Sequence, residues 1–172
     1  GDWSSDVCSS DLAGTTASGQ PFFAMDYLPG EPIVAFADRH RLGLDGRLQL
    51  FLEVCGAVQH AHQRGVLHRD LKPGNVLVAE RDGTPWPCII DFGLAKVLHV
   101  AEVLGAANTT ERGRLLGTPE YMSPEQASGE PVDTRTDLYA LGVILFELTS
   151  GELPFASARL RARGLGSVVQ IL

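Results

Sequence analysis

The chain has 172 residues, 44% hydrophobic and 20% charged, with a formal net charge of −7. That is enough chain for one domain with its own core, in the composition of an ordinary water-soluble protein. The acidic balance argues against non-specific binding to nucleic acid or to an anionic membrane surface, and no apolar run in this stretch approaches the roughly 20 residues that span a bilayer.

Residues 1–12, GDWSSDVCSSDL, carry no helical or strand period. They resemble the translation of a sequencing-adapter oligonucleotide. They are expected to be non-native or disordered and are set aside with Cys8, and residues 13–19 read as a linker. Phe22-Phe23-Ala24-Met25-Asp26-Tyr27 suits a strand, closed by a turn at Pro29-Gly30. A helix is expected from near Asp45, which can cap it, to Gln63. Its apolar positions are Leu48, Phe51, Leu52, Cys55, Val58 and Ala61, and Gly65 suits its C-terminus. Val76-Leu77-Val78 and Ile89-Ile90 read as strands, joined into a hairpin through Arg81-Asp82-Gly83-Thr84. From Leu94 to Thr118 no period is sustained, a length that marks a functional loop. Leu138, Leu141, Leu145 and Leu148 predict a helix stopped by Gly151. The chain ends in mid-pattern at Leu172 and is expected to continue. Cys55 and Cys88, flanked by apolar residues, read as buried free thiols in a reducing, cytoplasmic compartment.

The chemistry is concentrated in His68-Arg69-Asp70-Leu71-Lys72-Pro73-Gly74-Asn75, followed after a short strand by Asp91-Phe92-Gly93. A carboxylate, a lysine and an amide fall within six residues, and a second carboxylate follows. Transfer of a phosphoryl group from ATP needs such a set. One acid orients the attacking hydroxyl and accepts its proton, oxygen ligands hold magnesium, and a cation balances charge on the moving group. A charged loop capping a helix, with Asp91 only ending a strand, is the alternative. It does not account for the joint spacing.

The first segment resembles the catalytic loop of protein kinases, and the second resembles their magnesium-binding triplet. That resemblance makes Asp70 the catalytic base and puts Lys72 on the γ-phosphate, with Asn75 and Asp91 as magnesium ligands. Gly117-Thr118-Pro119-Glu120-Tyr121-Met122-Ser123-Pro124-Glu125 resembles the end of an activation segment, with Ser123 where the family usually has alanine. Asp137-Leu138-Tyr139-Ala140-Leu141-Gly142 resembles the start of the buried central helix. Asp137 is then a structural anchor for the catalytic-loop backbone. An acid placed by the helix dipole is a fair competing reading. By the same resemblance Asp26-Tyr27-Leu28 is the hinge that reads adenine through its backbone, Met25 is the gatekeeper before it, and Leu77 lies under the ring. Core packing is compatible with both Met25 and Leu77. His68, Phe92 and Glu125 take structural roles.

The resemblance covers about residues 20–172 and is closest to bacterial serine/threonine kinases. It implies an α+β, protein-kinase-like fold: mostly the helical C-lobe, with the hinge and the end of the N-lobe, as a partial kinase domain. ATP and Mg2+ are the implied cofactors, and a protein serine or threonine hydroxyl is the implied acceptor. No nucleic acid and no membrane segment in this stretch are expected; a cytoplasmic location is, with any membrane anchor lying outside it. Lys72 two residues after Asp70 is the serine/threonine pattern. Arg69 is the expected dock for an activation-loop phosphate, with Thr109 and Thr110 as its sites. Thr118 is expected to shape the substrate site beside Asp70 and Lys72.

The family's glycine-rich loop, strand lysine and helix glutamate do not occur in these residues, so the stretch by itself is expected to be inactive. The arginine that pairs with Glu125 in the family would lie beyond Leu172. A pseudokinase-type binding module is the alternative from another class. The intact set Asp70, Lys72, Asn75 and Asp91 argues against it. Small-molecule kinases of the aminoglycoside type share the Asp-to-Asn spacing but lack such an activation segment.

Overall fold

A computed structural model describes residues 10–16, 18–25, 27–92 and 118–155. The first strand, β1 (Ser10–Thr15), pairs antiparallel with β2 (Pro21–Met25). Three residues of the stretch set aside, Ser10 to Leu12, thus lie in a strand, and so does the start of the expected linker. The pairing is made by the backbone, which is why side-chain periodicity gave no sign of it. β2 matches the expected aromatic strand.

The chain then runs through a two-residue strand, β3 (Glu31–Pro32), directly into helix α1 (Ile33–Arg39). Gly30 is needed where this segment crosses the next strand. A Cβ there would sit 3.1 Å from both the Leu77 Cβ and the Val78 carbonyl oxygen. Helix α2 (Leu44–Gln63) begins one residue before Asp45. Its N-cap is Gly43, with no capping side chain, and Asp45 lies inside the first turn. The buried face also differs from the expected one. Leu50, Val54, Ala57, Val58 and Ala61 point inward, while Leu52 is 63% exposed. The helix carries two overlapping apolar stripes, and contact with the sheet and the last helix selects between them.

Strands β4 (Val76–Arg81) and β5 (Thr84–Ile89) form the expected hairpin, in the sheet order β3-β4-β5. Asp82 and Gly83 both have positive φ, 52° and 75°, the geometry of a tight hairpin turn that favours Asp-Gly. Pro85 and Pro87 lie two residues apart on the outer strand, so their missing N–H groups fall on one edge. A short helix, α3 (Pro124–Ser128), precedes the long α4 (Thr134–Ser150). Residues 93–117 and 156–172, including the expected functional loop, lie outside the described residues.

One core joins these elements. Ile33, Phe36 and Ala37 of α1, the inner face of α2, Val76, Val78 and Ile89 of the hairpin, and Ala140, Leu141, Ile144 and Leu148 of α4 pack together around Leu71. Leu71 sits inside the candidate catalytic loop and is 2% exposed. Burying it fastens that loop to the core, worth roughly 1.5–3 kcal/mol for a side chain of this size. No helix among the described residues is long and apolar enough to cross a membrane.

Candidate active site

The loop between α2 and β4 holds five of the singled-out residues: His68, Arg69, Asp70, Lys72 and Asn75. Arg69 has φ +70°, a left-handed conformation that costs a non-glycine residue about 1–3 kcal/mol. It is held there from several sides. Asp137 enters from the first turn of α4 with its carboxylate 1% exposed. Its Oδ2 accepts from the His68 backbone N–H at 2.9 Å and its Oδ1 from the Arg69 N–H at 2.8 Å. The His62 imidazole Nε2, from the end of α2, is 2.7 Å from Oδ2. One buried carboxylate therefore ties two helices to the loop.

His68 is fully buried. Its Nδ1 accepts from the Asp70 N–H at 3.3 Å, so its Nε2 carries the proton and donates to the Ile90 carbonyl at 2.9 Å. Burial pulls its pKa below the usual histidine value. The bond to Ile90 and the carboxylates of Asp137, Asp70 and Asp91 act against that pull. The ring also lies 4.8 Å from that of Phe92, tilted by 59°, a favourable aromatic arrangement.

Asp70 is the hub of the polar set. Lys72 Nζ donates to Asp70 Oδ2 at 2.6 Å. Asn75 Nδ2 donates to the Asp70 carbonyl at 2.8 Å and lies 3.5 Å from Asp70 Oδ2. The Lys72 and Asp70 side chains are 28% and 43% exposed. A pair so open to water adds little to stability, so its value lies in where it puts a charge and an acceptor. Asn75 is 6% exposed. With its amide nitrogen committed to the loop, its oxygen is the end that can face a cation.

Ile90 joins the two motifs. Its N–H donates to the Asn75 carbonyl at 2.9 Å while its own carbonyl accepts from His68. Asp91 follows at once with φ +64°, a second strained residue at the same place. Asn75 and Asp91 supply the hard oxygen donors magnesium prefers. Among the described residues no group of three His, Cys, Asp or Glu side chains forms a closed metal cage. Magnesium does not require one, because it keeps waters and phosphate oxygens as ligands. The residues present therefore fit that ion.

The other candidates fall as follows. Leu77 is half-buried in β4, opposite Pro32, with Gly30 packed against it. That brings the chain after Leu28 to the strand carrying Leu77. Met25 ends β2, while Asp26 lies outside the described residues. Thr118 opens a 3-10 turn, Pro119–Tyr121, and its carbonyl accepts from the Tyr121 N–H. Lys72 is joined to Asp70 and not, in the described hydrogen bonds, to Thr118. Thr109 and Thr110 lie outside the described residues. Glu125 accepts a 2.6 Å bond from the Thr136 hydroxyl, which holds its carboxyl below the usual range. It lines a groove of about 520 Å³ with Arg135 and Tyr139.

Sequence reasoning passed over two contributors. His62 was one helical position among many, and only its partner Asp137 marks it. Ser123 stands where the family usually has alanine. It is fully buried and caps α3: its Oγ accepts from the Gln126 N–H at 3.4 Å, and the Gln126 Oε1 accepts from the Ser123 N–H at 3.1 Å. The Ser-x-x-Gln spacing of a capping box was legible.

The chain is similar in sequence to curated proteins. The chain is 42% identical over 147 residues to the serine/threonine-protein kinase Pkn1 of Myxococcus xanthus, covering 84% of this chain and 20% of that protein. It is 43% identical over 153 residues to the DNA damage-responsive serine/threonine-protein kinase RqkA of Deinococcus radiodurans, covering 84% and 21%. The chain thus spans about a fifth of the length of these relatives. The crystal structure of the Mycobacterium tuberculosis PknI kinase domain superposes with a TM-score of 0.64 at 27% identity, over 95% of this chain and 63% of that one. Residues 13–170 match the family model described as the protein kinase domain. A match over that extent, on a chain whose hydrogen bonds gather Asp70, Lys72 and Asn75 into one loop, means that the chain belongs to the protein kinase family.

Proposed function

We propose that this stretch carries the catalytic loop and magnesium site of a kinase that transfers the γ-phosphate of ATP to serine or threonine hydroxyls of proteins in the cytoplasm. One observation carries the reading: Lys72 and Asn75 both bond to Asp70, in a loop that hydrogen bonds join to the residue preceding Asp91. Asp70 Oδ is the acceptor for the proton of the attacking hydroxyl. Lys72, 2.6 Å from that carboxylate, holds positive charge where the transferred phosphoryl group passes. Asn75 and Asp91 hold magnesium, which when bound neutralises charge on the phosphates. Leu77 offers apolar surface to adenine, Asp26 and Leu28 lie at the hinge that reads it through the backbone, and Met25 is the gatekeeper before the hinge. Arg69 is the dock for a phosphate on Thr109 or Thr110, and Thr118 shapes the acceptor site. His68, Phe92, Glu125 and Asp137 support these groups without touching substrate.

The test is Asp70→Asn in the full-length protein, assayed by transfer from labelled ATP to a serine- or threonine-containing protein. Loss of a general base typically costs about 10²- to 10⁴-fold in rate. Unchanged transfer would overturn the assignment. Binding of ATP without transfer in the unaltered protein would favour a pseudokinase.

A further inference from the structure

The peptide plane between Arg69 and Asp70 is gripped at both edges. On one edge the Asp70 N–H donates to His68 Nδ1 at 3.3 Å. On the other, Gln126 Nε2 donates to the Arg69 carbonyl at 2.6 Å. A peptide unit is rigid and planar, so fixing its carbonyl also fixes the N–H of the next residue. The Gln126 contact crosses 57 positions of sequence and joins the end of the activation segment to the residue just before Asp70. It is also aimed. Gln126 Oε1 accepts from the Ser123 N–H while its own N–H is held by Ser123 Oγ. The amide is thereby oriented with its nitrogen toward Arg69. Arg69 has φ +70°, so the plane it leads into sits away from a relaxed position and needs an external hold.

From this geometry we infer that Gln126 is a positioning residue for the catalytic loop: its side-chain amide sets the plane that aims Asp70, coupling the order of the activation segment's end to the chemical step. The inference rests on the kinase reading of Asp70. It explains why one amide uses both ends. The oxygen completes the helix cap and the nitrogen reaches the loop. A glutamate at the same position completes a capping box equally well, but it has no N–H to give and sets a carboxylate oxygen against the Arg69 carbonyl. Gln126→Glu thus separates the cap from the hold.

The experiment compares Gln126→Glu with the unaltered full-length protein, in kcat, in KM for ATP and for the protein substrate, in thermal midpoint and in amide exchange at Asp70. The expected result is a fall in kcat of about 10- to 100-fold, the scale of a small misplacement of a reacting group. Both KM values should stay within about twofold, since the positions that hold ATP and acceptor are untouched. The midpoint should move by no more than about 2 °C, and the Asp70 amide should exchange faster. An unchanged kcat overturns the inference. So does a fall in kcat matched by a fall in midpoint, which would make Gln126 merely structural. If Gln126→Glu does not fold, Gln126→Met removes the donor without adding charge; because it also removes the oxygen that completes the cap, kcat and exchange at Asp70, and not the midpoint, decide for that variant. If the unaltered protein shows no transfer, the kinase reading fails, and the exchange rate at Asp70 still decides whether Gln126 holds the plane.

Discussion

Replacing Asp137 by asparagine tests the anchoring of the catalytic loop with little change of shape. The carboxylate accepts three bonds, from the backbone N–H groups of His68 and Arg69 and from His62 Nε2. Asparagine has one accepting oxygen. Its best rotamer keeps the two bonds at the Oδ2 position and turns its NH2 group toward the Arg69 N–H, donor against donor. A buried donor left without a partner costs about 1–3 kcal/mol. The two retained bonds lose their ionic acceptor, roughly 1 kcal/mol more. Asp137→Asn should therefore destabilise the domain by about 2–4 kcal/mol, read from the midpoint of a urea titration at unchanged slope. The loss should be local first. Arg69 would relax from φ +70°, so the amides of His68 and Arg69 should exchange faster before the domain unfolds. Transfer activity should fall as Asp70 loses its aim. A loss below about 0.5 kcal/mol, the level of a neutral surface change, with unaltered exchange at both amides, would refute the claim that this carboxylate holds the loop.

Further outcomes are expected. Ser123→Ala gives the residue usual in the family but removes the cap of α3, and should cost about 1 kcal/mol in a denaturant titration; no measurable loss would mean the capping box is not formed in solution. Burial depresses the folded-state pKa of His68, so below its unfolded value of about 6.5 the unfolded chain binds the extra proton and stability falls with pH. His68's contribution is complete above that value and is lost as pH drops toward its folded pKa. His68→Gln should flatten this part of the stability–pH curve, and an unchanged slope would assign it to another group.

Much of the site was legible because its residues are contiguous or nearly so. Asp70, Lys72 and Asn75 lie within six residues of one loop, so the set proposed for the chemistry could be picked out from residue type and spacing, with the role of each implied by the family resemblance. The hairpin was legible from Asp82-Gly83, because few residue pairs accept two positive φ values in a row. The last helix was legible from its leucine period, although Leu138 itself is 57% exposed. The alternation of apolar residues established that α2 is a helix but not which of its two stripes is buried. That depended on the sheet and on α4, which contribute partners the helix cannot specify alone.

What tertiary structure decided has a common physical character. Asp137 bonds to backbone N–H groups 68 and 69 positions away and to His62 at 75, and Gln126 reaches the carbonyl of Arg69. Every residue but proline carries the same backbone donor and acceptor, so such contacts leave no mark at the receiving position. β1 arose the same way, by backbone pairing without a side-chain pattern. The sequence by itself determined which groups are on offer for the proposed chemistry, since that depends on residue identity. The fold determined how they are aimed, since the left-handed turns at Arg69 and Asp91 persist only where distant side chains and a buried core hold them.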